Sequence, residues 1–261
     1  MKKPELSTYL FAHIDKILAK IKSTPKNFLF LDYDGTLVPI APKPNQALLA
    51  QDKRDLLALL CQQFTVAIMT GRSLEEIKKI ISIPEIILAG NHGFEIFSPW
   101  GSWVHPEARG FQKVISGLAT SLEEALKPFL GAWVENKGLT LSVHYRLVKE
   151  RGEEKIKSIF YHTIEGHKEK VRVTLGKKVL EIRPNVPWDK GKAVERLSKL
   201  YEVPQGHRIY MGDDETDEDA FRALKEDITI LVGQKDTTAA KYWVKDTTEV
   251  WLFLKNLREN R

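Results

Sequence analysis

Three short apolar runs each stop abruptly at a polar loop, and that pattern constrains the fold more than any other feature of the chain. Phe28-Leu29-Phe30-Leu31 breaks into Asp32-Tyr33-Asp34-Gly35, Thr65-Val66-Ala67-Ile68-Met69 into Thr70-Gly71-Arg72-Ser73, and Ile86-Ile87-Leu88-Ala89 into Gly90-Asn91-His92-Gly93. Runs this short and this uniformly apolar read as strands covered on both faces. Helical patterns alternate with them: an amphipathic leading helix over 5–22, a second over 45–63, and a third over Leu74–Ile81 that Ser73 caps, with Glu76 three residues on. Buried strands alternating with helices imply a parallel sheet with helices on both faces.

Between residues 106 and 184 the rhythm changes to helix, strand, strand, helix, strand, strand. The helices read as 107–129 and 148–164. The strands read as 132–135 and 139–145 around Asn136-Lys137-Gly138, then 171–174 and 178–182 around Leu175-Gly176-Lys177. Hairpins covered by helices describe a small antiparallel α+β domain. After Pro184 the first rhythm returns with a helix over Lys190–Leu200, a strand over 208–211, a helix over 215–224 and a strand over Ile228–Val232. The fold class is therefore α/β: a doubly wound, mostly parallel-sheet, Rossmann-like core over 1–105 and 185–261, with an inserted α+β cap domain over 106–184.

Composition narrows the function classes. The longest apolar run, Leu56 to Cys61, has six residues, whereas a membrane span needs about 20. The N-terminal segment is broken by His13, Asp15, Lys16 and Lys20 and has no secretory apolar core. A single cysteine, Cys61, cannot form an internal disulfide, which suits a reducing cytoplasm. The net charge of +5 invites a nucleic-acid reading, but the basic residues are scattered among acids and no DNA- or RNA-binding motif is present. The expectation is a cytoplasmic monomer with a small-molecule partner and neither membrane nor nucleic acid.

Chemistry-bearing residues collect where the apolar strands end, which in open α/β sheets is where ligands bind. Asp32 and Asp34 directly follow a buried strand, and desolvating two carboxylates there is costly unless something positive lies between them. Taken alone, the same segment also reads as an acidic turn bent at Gly35. In Thr70-Gly71-Arg72 the threonine hydroxyl and a following backbone N–H could grip a phosphate oxygen, or the threonine could simply cap its turn. Lys190 opposes the macrodipole of the helix it starts, which suggests a nearby anion, although a solvated lysine fits as well. Gly212-Asp213-Asp214-Glu215-Thr216-Asp217-Glu218-Asp219 crowds its acids so closely that a cation among them would relieve their repulsion; an ordinary acidic helix start is the alternative.

In order and placement the four segments resemble those of the haloacid-dehalogenase-like phosphohydrolases: Asp32–Thr36 matches the DxDGT motif, with Thr70, Lys190 and 212–217 as the second, third and fourth motifs. Their wording, together with Gly90-Asn91-His92-Gly93-Phe94-Glu95, resembles the trehalose-6-phosphate phosphatases. Within the insert, Glu135-Asn136-Lys137-Gly138 and Lys178-Val179-Leu180-Glu181-Ile182-Arg183-Pro184 look like that family's sugar-contacting cap segments, with Thr140 where the family has serine. The resemblance implies Asp32 as nucleophile, Asp34 as general acid and base, and Thr70 and Lys190 as phosphate holders. It implies Mg2+ on Asp32, the backbone carbonyl of Asp34 and Asp213, with Asp214 and Asp217 nearby. Substrate contacts would come from Thr70, Gly71, Arg72, Asn91, His92, Glu135, Lys137, Lys178 and Glu181, with Glu95, Arg109, His144 and Arg146 as weaker candidates. The implied reaction is hydrolysis of a sugar phosphate, trehalose 6-phosphate first, with functional pairing to a trehalose-phosphate synthase. Sucrose phosphate, mannosylglycerate phosphate or a non-catalytic sugar-phosphate sensor are the competing readings.

Overall fold

The apolar run ending at Asp32 lies in the middle strand of a nine-stranded sheet. The computed structural model describes residues 7–176, 178–201 and 206–260, in two compact units: 1–103 with 188–261, and 104–187. In chain order the first unit carries β1 (Thr8–Tyr9), α1 (Ile14–Lys22), β2 (Phe28–Asp32), α2 (Gln51–Leu60), β3 (Thr65–Met69), α3 (Leu74–Ile81), β4 (Ile87–Gly90), β5 (Glu95–Ser98) and β6 (Gly101–Val104). The second carries α4 (Pro106–Arg109), α5 (Gln112–Leu126), β7 (Trp133–Asn136), β8 (Leu141–His144), α6 (Glu150–Thr163), β9 (Val171–Gly176) and β10 (Val179–Pro184). The chain then completes the first unit with α7 (Lys190–Leu200), β11 (Arg208–Gly212), α8 (Asp217–Ala223), β12 (Ile228–Val232), β13 (Tyr242–Val244) and α9 (Thr247–Glu259).

The large sheet runs β1-β13-β12-β11-β2-β3-β4-β5-β6 and is parallel from β1 to β4, with β5 antiparallel to β4. Alternation along each strand divides its side chains between two cores. Leu29, Leu31, Val66, Ile68, Ile209 and Met211 pack with residues of α1, α2, α3 and α9. Phe28, Phe30, Ala67, Met69 and Tyr210 pack with Ala193, Val194 and Leu197 of α7 and with Ala220, Phe221 and Leu224 of α8. The sheet is thus wound on both faces, and the loops after β2, β3, β4 and β11 leave it at the same edge. The two chain segments of this unit also meet through Trp103 and Trp188, whose ring centroids are 5.2 Å apart.

In the smaller unit the order is β7-β8-β10-β9, antiparallel throughout. Leu141, Val143, Leu180 and Ile182 share a core with Ile115, Leu118 and Leu122 of α5 and Ile156 and Phe160 of α6. The register places Glu135 opposite Ser142, and Ser142 opposite Glu181, on the other face.

Several element boundaries differ from the sequence reading. The leading helix starts only at Ile14, because Thr8–Tyr9 instead adds a strand beside β13. Tyr9 packs its ring, tilted, against Trp243 at 4.8 Å between centroids and donates to Glu249 at 2.7 Å; residues 5 and 6 lie outside the described part. The second helix starts at Gln51 rather than 45, after a 3-10 turn at Pro44–Gln46. The Pro44 carbonyl accepts the Ala47 N–H of that 3-10 turn at 3.1 Å and the Arg72 side chain at 2.9 Å, and the Ala47 carbonyl accepts the Tyr33 hydroxyl at 2.9 Å. The helix read over 107–129 divides into α4 and α5 around Gly110.

Candidate active site

The sequence of β2 drives Asp32 into the site: apolar Phe28 to Leu31 fix the strand between two cores, and its last residue emerges at the sheet edge only 5% exposed. Lys190, the first residue of α7, is 2% exposed. Asp189 caps that helix by accepting from the Lys192 N–H at 2.9 Å, and the lysine side chain turns back into the sheet edge. Its ammonium donates to Asp32 Oδ1 at 2.7 Å and to Asp217 Oδ1 at 2.6 Å.

Asp217 fastens the acidic loop after β11. Its Oδ1 also accepts the Tyr210 hydroxyl at 2.7 Å, and its Oδ2 accepts the N–H groups of Asp213 and Asp214 at 3.0 and 2.9 Å. Four donors on one fully buried carboxylate fix the loop's path and leave Asp213 at its inner turn. Asp214 is exposed and accepts from the Glu215 N–H at 2.8 Å. Tyr210 has no local sequence signal: within β11 it reads as one more apolar-strand residue.

Charge in this cluster is out of balance. Burial pushes the Asp32 carboxyl well above the usual carboxylate range; Lys190 opposes that shift, and Asp217 and Asp213 add to it. Burial alone would discharge Lys190, but Asp217 and Asp32 hold it firmly protonated. One ammonium therefore faces three acids whose oxygens come within 4.8 Å of one another: Asp32, Asp213 and Asp217. An oxygen-only donor set of this kind fits a hard divalent cation. The cradle is tight as well. A Cβ on Gly35 (φ +92°) would meet the Asp213 carboxylate at 2.3 Å, and one on Gly212 would meet Asp217 Cγ at 2.3 Å.

The loops after β3 and β4 interlock beside this cluster. The Arg72 N–H donates to Thr70 Oγ1 at 3.1 Å, which sets the threonine hydroxyl at the strand end. Asn91 N–H donates to the Arg72 carbonyl at 2.7 Å and His92 N–H to the Thr70 carbonyl at 2.8 Å. Asn91 and His92 adopt left-handed conformations (φ 48° and 57°), and the Asn91 amide donates to Glu95 at 2.6 Å. Gly71 has no room for a side chain, since a Cβ would lie 2.6 Å from the His92 ring. Arg72 sends its guanidinium to Asp34, Glu76 and the Pro44 carbonyl.

In the smaller unit, Glu135, Lys137 and Glu181 gather on the polar face of the sheet. Lys137 Nζ donates to Glu181 Oε1 at 3.2 Å and lies 4.0 Å from Glu135. His144 pairs with Glu135 at 2.7 Å while stacking on Trp133 at 4.5 Å, and Arg183 donates to Glu181 at 2.7 Å. Lys178 is not part of this group. It sits in the β9–β10 turn at φ 65°, and its ammonium pairs with Glu153 of α6 at 2.6 Å.

A doubly wound sheet with acids past the ends of β2 and β11, a buried lysine at the start of α7 and a hydroxyl after β3 defines a haloacid-dehalogenase-like hydrolase core. The chain belongs to the trehalose-phosphatase family, whose sequence profile matches residues 30–248. It is 38% identical over 252 residues to trehalose-phosphate phosphatase B of Arabidopsis thaliana, covering 88% of this chain and 66% of that one. The chain thus spans about two thirds of that plant protein's length. Among solved structures, a trehalose-6-phosphate phosphatase related protein is 28% identical with a TM-score of 0.80, over 89% of this chain and 97% of the other. Trehalose-6-phosphate phosphatase of Aspergillus fumigatus is 26% identical with a TM-score of 0.67, over 98% and 100%. Among the described residues, no helix is long and apolar enough to cross a membrane.

Proposed function

We propose that this chain hydrolyses trehalose 6-phosphate to trehalose and inorganic phosphate, with Asp32 as the nucleophile. The observation that carries the reading is the buried Asp32 carboxylate at the end of β2, held at 2.7 Å by Lys190 and followed two residues later by a second carboxylate, Asp34. Asp32 attacks phosphorus and an aspartyl-phosphate forms as the bond to the sugar oxygen breaks. Asp34 gives that oxygen its proton and then takes one from the water that releases phosphate. Splitting one displacement into two lowers each barrier, and a positioned acid and base is worth about 10²–10⁴ in rate.

Thr70 and Lys190 hold phosphate oxygens, where preorganised donors stabilise developing charge. Mg2+ is the cation we assign to Asp32, the Asp34 carbonyl and Asp213, where it would neutralise the approach of carboxylate to phosphate. Glu135, Lys137 and Glu181 form the sugar-reading set. Lys178 is left out of that set because its ammonium is engaged by Glu153. The reading places the chain in the cytoplasm, acting on the product of a trehalose-phosphate synthase.

Phosphate release measured over a panel of sugar phosphates tests this. Trehalose 6-phosphate should give the highest kcat/KM, and Asp32→Asn should lower it by more than about a thousandfold. Preference for sucrose phosphate or mannosylglycerate phosphate would replace the substrate. An active Asp32→Asn would remove the nucleophile, and release from no member would leave a sugar-phosphate sensor.

A further inference from the structure

The site described above leaves one strongly held charge without a role in it. Arg72 follows Thr70 and Gly71 at the end of β3 and is 4% exposed. Its Nε and Nη2 donate to Asp34 Oδ2 and Oδ1, each at 2.7 Å, in the parallel two-bond geometry that a guanidinium makes with a carboxylate. Nη2 also reaches the Pro44 carbonyl at 2.9 Å, and Nη1 pairs with Glu76. Four of the five guanidinium N–H donors are thereby engaged, which leaves little for an outside anion. The guanidinium carbon sits 5.0 Å from the centre of the Tyr33 ring, a cation–π contact. The Arg72 backbone is fastened at both ends, through Thr70 Oγ1 and the Asn91 N–H.

We propose that Arg72 is the positioning residue for the Asp34 carboxyl, not a ligand for the substrate phosphate. This rests on the reading of Asp34 as general acid and base. Asp34 is 38% exposed and sits on a turn, so nothing in its own packing fixes a rotamer. The planar fork of Arg72 supplies that constraint, while Glu76, Pro44 and Tyr33 keep the fork from rotating. A lysine, with one ammonium on a flexible stem, cannot reproduce two parallel bonds. Misplacing a proton donor harms the step in which a poor leaving group departs and spares one in which the leaving group needs no proton.

The test compares kcat/KM for phenyl phosphate and 2,4-dinitrophenyl phosphate in the intact chain and in Arg72→Lys, Arg72→Met and Asp34→Asn. kcat/KM ends at formation of the phosphoenzyme, so it isolates the acid step. For both Arg72 variants we expect a loss of about 10²-fold on phenyl phosphate and less than about threefold on the dinitrophenyl ester, with Asp34→Asn showing the same selectivity. The dinitrophenyl ester should also leave more acid-quenched phosphoenzyme at steady state in the Arg72 variants, because the base is equally misplaced.

Equal losses on both esters would make Arg72 a phosphate ligand or a structural residue and overturn the proposal. Selectivity in Asp34→Asn but not in the Arg72 variants would overturn it while leaving the acid–base reading intact. No selectivity in Asp34→Asn would overturn both. If the Arg72 variants fail to fold, the Arg72 Nε–H resonance of the intact chain decides. It should exchange slowly and shift downfield, and Asp34→Asn should abolish this while Asp32→Asn leaves it. Any other response overturns the clamp.

Discussion

Replacing Tyr210 with phenylalanine removes one oxygen and nothing else from the most enclosed part of the site. The lost bond is the hydroxyl's 2.7 Å contact to Asp217, a carboxylate that is fully buried. A hydrogen bond to a charged group contributes roughly 1.5–3 kcal/mol. Asp217 keeps Lys190 and two backbone N–H donors, so the lower half of that range applies, about 2 kcal/mol. For a chain of this size each kcal/mol moves Tm by about 2–4 °C, which predicts a fall of about 4–8 °C.

Burial, and then the charge of Asp217, push the Tyr210 phenol well above its ordinary value. It therefore remains a neutral donor, and the loss should be the same from about pH 6 to pH 9. Tyr33→Phe is the internal control. Its hydroxyl donates to the neutral Ala47 carbonyl at 2.9 Å, worth about 1 kcal/mol, so its Tm should fall about half as far. Calorimetry on the two variants measures both. A Tyr210→Phe Tm within about 1 °C of the parent, or a larger fall for Tyr33→Phe, would refute the view that Asp217 depends on four donors.

Gly35→Ala should abolish phosphatase activity in a folded protein, because the new methyl would meet the Asp213 carboxylate at 2.3 Å at a φ of +92°; near-parental turnover would show that the loop yields. Excess EDTA should silence phosphate release and Mg2+ restore it, and Asp213→Ala should raise the Mg2+ requirement or end activity. Full activity in EDTA would remove the metal from the reaction. Glu135→Ala, Lys137→Ala and Glu181→Ala should each lower kcat/KM for trehalose 6-phosphate by about ten- to two-hundredfold while changing that for a small aryl phosphate less than threefold. Equal losses on both substrates would point to disturbed folding. Burial pushes the Cys61 thiol up to about 12, so at pH 8 alkylation by iodoacetamide should run about a thousandfold slower than for an ordinary cysteine; a rate near the free-thiol value would contradict that burial.

The central strands were legible because their composition leaves little choice: short runs that are apolar but for a single threonine, set between turn residues, bury both faces, and Thr65–Met69 and Ile228–Val232 end where the sequence says. Ser73 accepts from Glu76 N–H as its cap pattern foretells, but the Glu76 carboxylate goes to Arg72. What escaped were contacts between distant residues. Nothing near Arg72 in the sequence points to Asp34, 38 positions earlier, and Tyr210 lies inside an apolar strand. The hairpin Glu95–Ser98 with Gly101–Val104 mixes polar and aromatic residues without clean alternation, and β13 has only three residues. Lys178 stands apart from Glu181 for a different reason. It lies three positions from Glu181, an odd offset that strand alternation sends to opposite faces, and the turn at φ 65° takes it out of the strand altogether.

The tilted pair Trp103 and Trp188 joins the two ends from which the smaller unit departs and to which it returns. For the sheet that carries Asp32, everything between those tryptophans is a detour whose ends are already tied. The entropy of closing such a detour grows only slowly with its length. Residues 104–187 can therefore be lengthened, shortened or exchanged for another small domain while the carboxylates, Lys190 and Thr70 keep their places. On the proposed function, the groups that break a phosphate ester and the groups that choose which ester belong to separate units and can evolve as separate parts.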